Sequence, residues 1–148
     1  MKTRILGAVL GIAALSGLLV ASPAQARDGV SSARVSNPDR AGAGYAQTTV
    51  DFVNRKKVIF RNFKVRDICP ADNHGVRARI EWIHTDGTRG YGAWKKDTSC
   101  GSHGTNFGNF VRTGSKSIKF VYVRVCISNK RGQHLVCKDG KWRRNQYV

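Results

Sequence analysis

From residue 48 onward, apolar and polar side chains alternate with a period of two, which is the pattern of half-buried β-strands. The clearest alternation covers residues 76–82, whose apolar positions are Val76, Ala78, Ile80 and Trp82. An Asp86-Gly87 pair follows and predicts a hairpin closed by a two-residue type I′ turn. In that register Trp82 faces Tyr91. Ile80 then faces Ala93, and all four side chains are expected in the core.

Further strands are predicted at residues 48–53 and 58–65, at 117–127, at 135–138 and at the edge over 141–148. In the 117–127 strand, Val121, Val123, Val125 and Ile127 are expected on one face and Ile118, Phe120 and Tyr122 on the other. The polar stretch 97–115 is expected to be a loop anchored by Phe107, Phe110 and Val111. The pattern predicts an all-β fold, a small antiparallel β-sandwich of six to eight strands.

Residues 1–26 have the features of a secretory signal peptide. Lys2 and Arg4 precede an apolar run over residues 5–20, and Ala24-Gln25-Ala26 supplies a small-residue cleavage site. The run is short for a membrane anchor, so we expect a secreted, extracellular protein with no membrane contact after cleavage. Residues 27–47 are rich in Ser, Gly and Ala and predict a flexible N-terminal arm. The β-sandwich domain is expected over residues 48–148.

Four cysteines fit an exported protein: Cys69, Cys100, Cys126 and Cys137. No two of them have the close spacing of a zinc or redox site. Three disulfide connectivities are possible. Pairing of Cys69 with Cys100 and of Cys126 with Cys137 is favoured, because each pair brackets a predicted hairpin.

The net charge is +17, and removing Lys2 and Arg4 with the leader leaves +15. Arg55, Lys56 and Lys57 share one predicted turn, and a second basic cluster near the C-terminus includes Trp142. Such clusters suit an acidic protein surface or a polyanion, and a solvated surface that keeps the protein soluble is a further interpretation. Export makes specific nucleic-acid binding the less favoured of the two, and secreted protein subunits with an acidic surface are the expected partners.

Candidate catalytic groups are sparse. Glu81 with His84 or His103 would be the acid–base pair of a small ribonuclease, but an ion pair of Glu81 with neighbouring arginines is the favoured interpretation. The histidines lack metal-type spacing, and Ser102 lacks the strand-turn-helix setting of a nucleophile elbow. We therefore expect no enzyme activity, no metal and no cofactor.

The signal peptide, the arm and the four-cysteine β body together resemble the adaptor (B) subunits of umbrella toxin particles, bacterial secreted complexes. The resemblance is one of architecture over the mature chain. It implies an adaptor that joins a toxin polypeptide to a cell-surface-binding subunit, with the arm inserted into a cleft of the latter. Val30, Val35 and Tyr45 would then be the anchors of the arm.

The chain is thus expected to be a non-enzymatic protein–protein interaction module, and two alternatives stay open. The cysteine-bracketed hairpins also resemble small secreted inhibitors of proteases or glycosidases. In such an inhibitor the 97–115 loop would bind, with His103, Asn106 and Phe107 as its contacts. The second alternative is an extracellular polyanion-binding protein or a small ribonuclease.

Overall fold

The computed structural model of this protein describes residues 28–36, 42–68, 75–97, 99–129 and 131–148. These residues form eleven β-strands in two sheets, and every regular element among them is a strand. The predicted all-β fold of two packed antiparallel sheets is therefore confirmed. Within the described ranges there is no helix of the length and apolar character needed to cross a membrane. The expected signal peptide lies outside the described residues.

The first sheet, sheet A, has the order β1-β2-β3-β7, and β8 also pairs with β3. Its strands are β1 (Gly29–Ser36), β2 (Ala43–Phe52), β3 (Lys57–Ile68), β7 (Thr105–Asn106) and β8 (Phe110–Thr113). Sheet B has the order β10-β9-β4-β5, with β11 on β9 and β6 on β4. Its strands are β4 (Gly75–His84), β5 (Arg89–Tyr91), β6 (Lys95–Asp97), β9 (Ile118–Ser128), β10 (His134–Asp139) and β11 (Arg143–Arg144).

The core lies between the sheets and follows the predicted alternation. Sheet A contributes buried residues that include Val50, Val58, Phe60, Phe63 and Val65, and sheet B contributes Val76, Ala78, Ile80, Trp82, Val121, Val123 and Val125. Phe107 and Phe110 pack against this core as expected. Two predicted positions were wrong. Ile118, which was expected on the same face as Phe120 and Tyr122, is fully buried in the core. Val111, which was expected to anchor the 97–115 loop, is 61% exposed.

The β4–β5 hairpin has a different register from the predicted one. Trp82 pairs with Gly90, and Tyr91 lies opposite Glu81. The cause is the turn: of the two turn residues only Gly87 has a positive φ (83°), whereas a type I′ turn needs positive φ at both. The His84 amide donates to the Thr88 carbonyl, which closes a three-residue turn and shifts the pairing by one residue. Tyr91 is consequently 64% exposed, and Ala93 is exposed as well.

The arm is also different from the expectation. Within the 27–47 segment, residues 29–36 form β1 and residues 43–47 begin β2, and these two strands pair along their length. Ala33, Val35 and Ala46 are buried in the core, so the described part of the segment belongs to the sandwich. The small side chains that suggested flexibility also allow close packing. At Gly44, for example, a Cβ atom would lie only 2.9 Å from the Val76 side chain. The expected boundary at residue 48 therefore falls inside β2.

One disulfide prediction is confirmed. Cys126 and Cys137 are directly paired residues of β9 and β10 and are bridged, with Cα atoms 4.1 Å apart. The closed loop is short, and closing it stabilises the fold by ~3 kcal/mol in the chain-entropy model. The other predicted pair includes Cys69, which lies outside the described residues, so that pairing stays a prediction.

On one side of the sandwich the sheets are joined by hydrogen bonds, which we call the closed seam (Ser31, Ser32, Val123, Gly140 and Lys141). The buried Ser31 hydroxyl accepts from the Val123 amide (3.1 Å) and donates to the Lys141 carbonyl (2.8 Å). The Gly140 amide donates to the Val123 carbonyl, and the Lys141 amide to the Ser32 carbonyl. Gly140 is required here, because a Cβ would lie 2.6 Å from the Ser32 carbonyl oxygen.

Candidate functional site

The two basic clusters of the sequence lie at the same end of the sandwich. Asn145, which is fully buried, makes the connection. Its side-chain amide donates to the Asn54 carbonyl (3.1 Å), and its backbone amide donates to the Lys119 carbonyl. The C-terminal segment is thereby fixed against both the β2–β3 turn and the start of β9. Two clusters about 90 residues apart in the sequence become one surface.

We call this surface the basic end. It comprises Val30, Val53, Arg55, Lys56, Lys57, Lys119, Lys141, Trp142, Arg143, Arg144 and Tyr147. None of its seven cationic side chains forms an ion pair with a carboxylate of the described residues. Four of the seven exposed large apolar residues of the described chain also lie here, each between 41% and 44% exposed. Free positive charge and exposed apolar area together are typical of a surface that meets another macromolecule.

The edge of β1 beside the basic end is covered by the chain itself. The Arg143 guanidinium donates to the Val30 carbonyl through Nε (2.9 Å) and through Nη2. The Lys141 amide occupies the Ser32 carbonyl. A partner strand therefore has no free backbone acceptor at these two positions, and addition of a strand there is blocked. Side chains at this end, and not backbone pairing, are what a partner could contact.

The three expected arm anchors have different environments. Val30 is 44% exposed and belongs to the basic end. Val35 is only 4% exposed and packs in the core, so its prediction as a partner anchor is wrong. It is the inward residue of a strand that the sequence pattern did not reveal. Tyr45 is half-buried on β2, and its hydroxyl donates to the Gln47 side chain at 2.6 Å.

The outer face of sheet B carries a buried carboxylate. Glu81 is 4% exposed, and its Oε1 accepts from Arg79 Nε at 2.8 Å. Its Oε2 accepts from the Tyr122 hydroxyl at 2.7 Å. Arg124 lies 3.6 Å from Oε1 and makes a bidentate pair with Asp139. Burial, with the hydrogen bond to Glu81, raises the pKa of Tyr122 to about 12.

Aromatic rings flank this network. The Arg79 guanidinium lies 4.3 Å from the Tyr91 ring centre and 4.5 Å from that of Trp94. The Trp142 ring is stacked on Tyr122 at 4.8 Å with the planes 5° apart. Trp142 therefore belongs both to the basic end and to the cover of the Glu81 network. The favoured sequence interpretation of Glu81, an ion pair with neighbouring arginines, is confirmed.

The histidines are not assembled with this carboxylate. The buried His84 lies 3.2 Å from the Ser117 carbonyl through Nδ1, and His103 is exposed. Among the described residues the hydrogen bonds and ion pairs of Glu81 are with arginines and a tyrosine, and not with His84 or His103. His134 lies within 4.8 Å of the sulfurs of Cys126 and Cys137, but these are joined in a disulfide and offer no thiolate for a metal. Burial and the nearby Arg77 lower the pKa of His134.

The 97–115 segment is partly strand and is organised by Asp97. This buried carboxylate accepts from the Ser99 hydroxyl (2.7 Å), the Thr105 hydroxyl (3.0 Å) and the Asp67 amide (3.0 Å). Of the three expected inhibitor contacts, His103 and Asn106 are exposed. Phe107 is half-buried and packs on Phe63, with ring centres 6.2 Å apart, so it supports the loop from within.

No family model, curated protein or solved structure matches this chain. The surface itself is therefore the basis for a function. Sequence reasoning identified Arg55, Lys56, Lys57 and Trp142 but missed Asn145, which brings them together. A lone Asn beside two arginines has no distinguishing pattern, and only its complete burial marks its role.

Proposed function

We propose that this protein is a non-catalytic interaction module whose basic end docks on an acidic surface of another protein. The observation that carries the proposal is that the buried Asn145 joins two distant basic clusters, beside which four large apolar side chains are exposed. A fold that needed these charges for its own stability would pair them with carboxylates. Here none of them is paired with a carboxylate of the described residues, and apart from Arg143, which caps the Val30 carbonyl, they are available to a partner.

The physical basis is electrostatic attraction with an apolar centre. Seven unpaired cations raise the association rate with an acidic partner, and this effect falls as salt is added. Val30, Val53, Trp142 and Tyr147 supply apolar area that becomes buried on contact. Aromatic residues surrounded by charged ones are typical of the residues that contribute most to binding energy.

The proposal extends to an adaptor role. The resemblance to umbrella toxin adaptors supports an exported protein that joins a toxin polypeptide to a cell-surface-binding subunit. Because residues 141–143 cover part of the β1 edge, the contact would be made by side chains of the basic end. An adaptor needs a second surface, and exposed Tyr91 (64%) and Leu135 (52%) on sheet B lie outside the basic end.

The experiment uses affinity capture of the tagged full-length chain from medium in which its source cells grow. The test variant is the triple change Arg55→Glu, Lys56→Glu and Lys57→Glu. Its control is Arg34→Glu, Arg89→Glu and Arg131→Glu, which alters three exposed cations elsewhere by the same total charge. Nuclease is added to one set of samples, and the proteins that bind are identified by mass spectrometry.

We expect the unchanged chain and the control to recover the same acidic proteins, and the test variant to lose them. Recovery of two different partners in one complex supports the adaptor role. Equal loss with both variants means that total charge alone decides binding, which contradicts a defined docking surface. Recovery that depends on intact nucleic acid supports polyanion binding in place of protein docking.

A further inference from the structure

The side of the sandwich opposite the closed seam is open. Here a cleft of about 210 Å³ lies between the sheets, lined by residues of β3 and β8 on sheet A and of β4 and β6 on sheet B. We call it the edge cleft. Its apolar lining is formed by Phe60, Phe63, Ile80, Trp82 and Phe110, with Lys95 and Arg112 as its cations. Aromatic side chains from both sheets therefore face the same space.

The two cations of the edge cleft rest on aromatic rings and not on carboxylates. Lys95 Nζ lies 5.4 Å from the Phe110 ring centre, and the Arg112 guanidinium lies 4.7 Å from that of Trp82. Arg61 and Lys116, in contrast, are each paired with a carboxylate. The cleft thus combines an apolar floor with positive charge that no described acidic group neutralises.

Buried donors at the same place also lack protein partners. Arg112 Nε and Trp82 Nε1 are inaccessible to solvent and have no acceptor among the described residues. Trp82 as a whole is 8% exposed. A buried donor without an acceptor is unfavourable, and such groups are uncommon unless something else satisfies them.

We propose that the edge cleft binds a small amphipathic carboxylate, an aromatic ring or a short hydrocarbon chain bearing one carboxyl group. The apolar part would lie against Phe60, Phe63 and Phe110, and the carboxylate would be held between Lys95 and Arg112. The volume is below the ~300 Å³ at which pockets for drug-sized ligands begin, which restricts the ligand to a single ring or short chain. This site uses no residue of the basic end, so it stands independently of the proposed docking function.

The test is a titration followed by ¹⁵N NMR, with the Trp82 indole N–H and the amides of residues 92–95 and 110–112 as reporters. The probes are 4-phenylbutyrate, its neutral amide 4-phenylbutyramide, and acetate. The test variant is Lys95→Gln with Arg112→Gln. The matched control is Lys64→Gln with Arg89→Gln, which removes two charges outside the cleft. A dispersed spectrum of each variant verifies that it is folded.

We expect saturable shifts with 4-phenylbutyrate at the reporters. Loss of the charge-assisted hydrogen bonds should weaken binding about tenfold. This should be seen when 4-phenylbutyramide replaces 4-phenylbutyrate, and when the test variant replaces the unchanged chain. Acetate should not saturate, and the control should bind as the unchanged chain does. Equal binding of the amide, or equal weakening in the control, overturns the proposal. So does a cleft whose signals respond only to a partner protein, or only to the concentration of the chain itself.

Discussion

The two sides of the sandwich differ in how the edges of sheet A and sheet B meet. At the closed seam, the chain leaving β10 crosses to sheet A and satisfies backbone groups of both sheets through Ser31 and Gly140. At the edge cleft, the facing strands are short and the space between them is lined by aromatic rings and two cations. One side is sealed by hydrogen bonds and the other is left accessible.

The difference separates residues that hold the fold from residues that are free for binding. The hydrogen bonds of Ser31 in the closed seam are buried or partly buried and join the sheets directly, so their loss should appear in the free energy of unfolding. The cations of the edge cleft and of the basic end have no acidic partners among the described residues. Except for Arg143, which also caps the Val30 carbonyl, their loss should appear in binding and hardly in stability. Substitutions on the two sides test this division.

The largest effect is expected at Gly140. In Gly140→Ala the new Cβ would lie 2.6 Å from the Ser32 carbonyl oxygen and 3.2 Å from that of Val123. Both are backbone atoms fixed in strands, so the seam must open to admit the methyl group. We expect a loss of ~3 kcal/mol in the free energy of unfolding, measured by urea denaturation. Gly101→Ala is the control, because nothing lies within 4 Å of its Cβ position, and a similar loss there would contradict the steric cause.

Asp97 comes next, because it joins the sheets at one end of the open side. The carboxylate on β6 of sheet B accepts from the Asp67 amide on β3 of sheet A. Asp97→Asn places an amide group where acceptors are needed, and we expect a loss of ~2 kcal/mol at neutral pH. Urea denaturation of both proteins gives the difference, and an unchanged free energy would mean that this contact does not hold the sheets together.

The same residue gives a pH dependence of known sign. Burial disfavours the charged form, but the hydrogen bonds from Ser99, Asp67 and Thr105 outweigh it, and the pKa of Asp97 is lowered. An unfolded Asp has a pKa of ~3.9, so the stabilisation is complete above about pH 4 and is lost as the pH falls through the folded-state value. The stability difference between the unchanged chain and Asp97→Asn should therefore shrink in acid. A difference that grows on acidification would contradict the assignment.

How far the sequence predicts this molecule depends on the range of the interactions involved. Alternation along residues 76–82 and 121–127 specified the inward faces of β4 and β9, because burial on a pleated strand has a local period of two. The Cys126–Cys137 bridge followed from the position of the two cysteines on either side of one predicted hairpin. The register of the β4–β5 hairpin could not be predicted in this way, because Asp86-Gly87 fits both a two-residue turn, with positive φ at Asp86, and the observed three-residue turn, without it.

The functional surfaces were harder to predict because they depend on contacts that are distant in the sequence. Arg55 and Trp142 were each recognised within a local cluster. That they share one end of the sandwich follows from Asn145 reaching Asn54, a contact across 91 residues. The strand β1 was missed because Ser, Gly and Ala are weak strand formers, and it is pairing with β2 that holds them in place.

A substitution at Ser31 tests the hydrogen bonds of the closed seam, whereas Gly140→Ala tests its steric fit. Ser31→Ala removes one hydroxyl that both accepts from the Val123 amide and donates to the Lys141 carbonyl. Ser31 is fully buried, so water cannot replace these bonds without opening the seam. We expect a loss of ~1–2 kcal/mol. Ser115→Ala, at an exposed position, is the control, and hydrogen exchange at the Val123 amide should accelerate only in the Ser31 variant.

The smallest change in the free energy of unfolding is expected at the edge cleft, and a small change there supports a role in binding. Lys95 interacts with the Phe107 and Phe110 rings at 5.5 and 5.4 Å, and such contacts contribute little where solvent has access. Lys95→Gln should change the free energy of unfolding by less than ~0.5 kcal/mol, well below the change in Ser31→Ala. A loss as large as that of the seam variant would make Lys95 a structural residue. A near-zero change would mean that the unpaired charge of Lys95 does not stabilise the fold. This result is expected if the residue serves in binding.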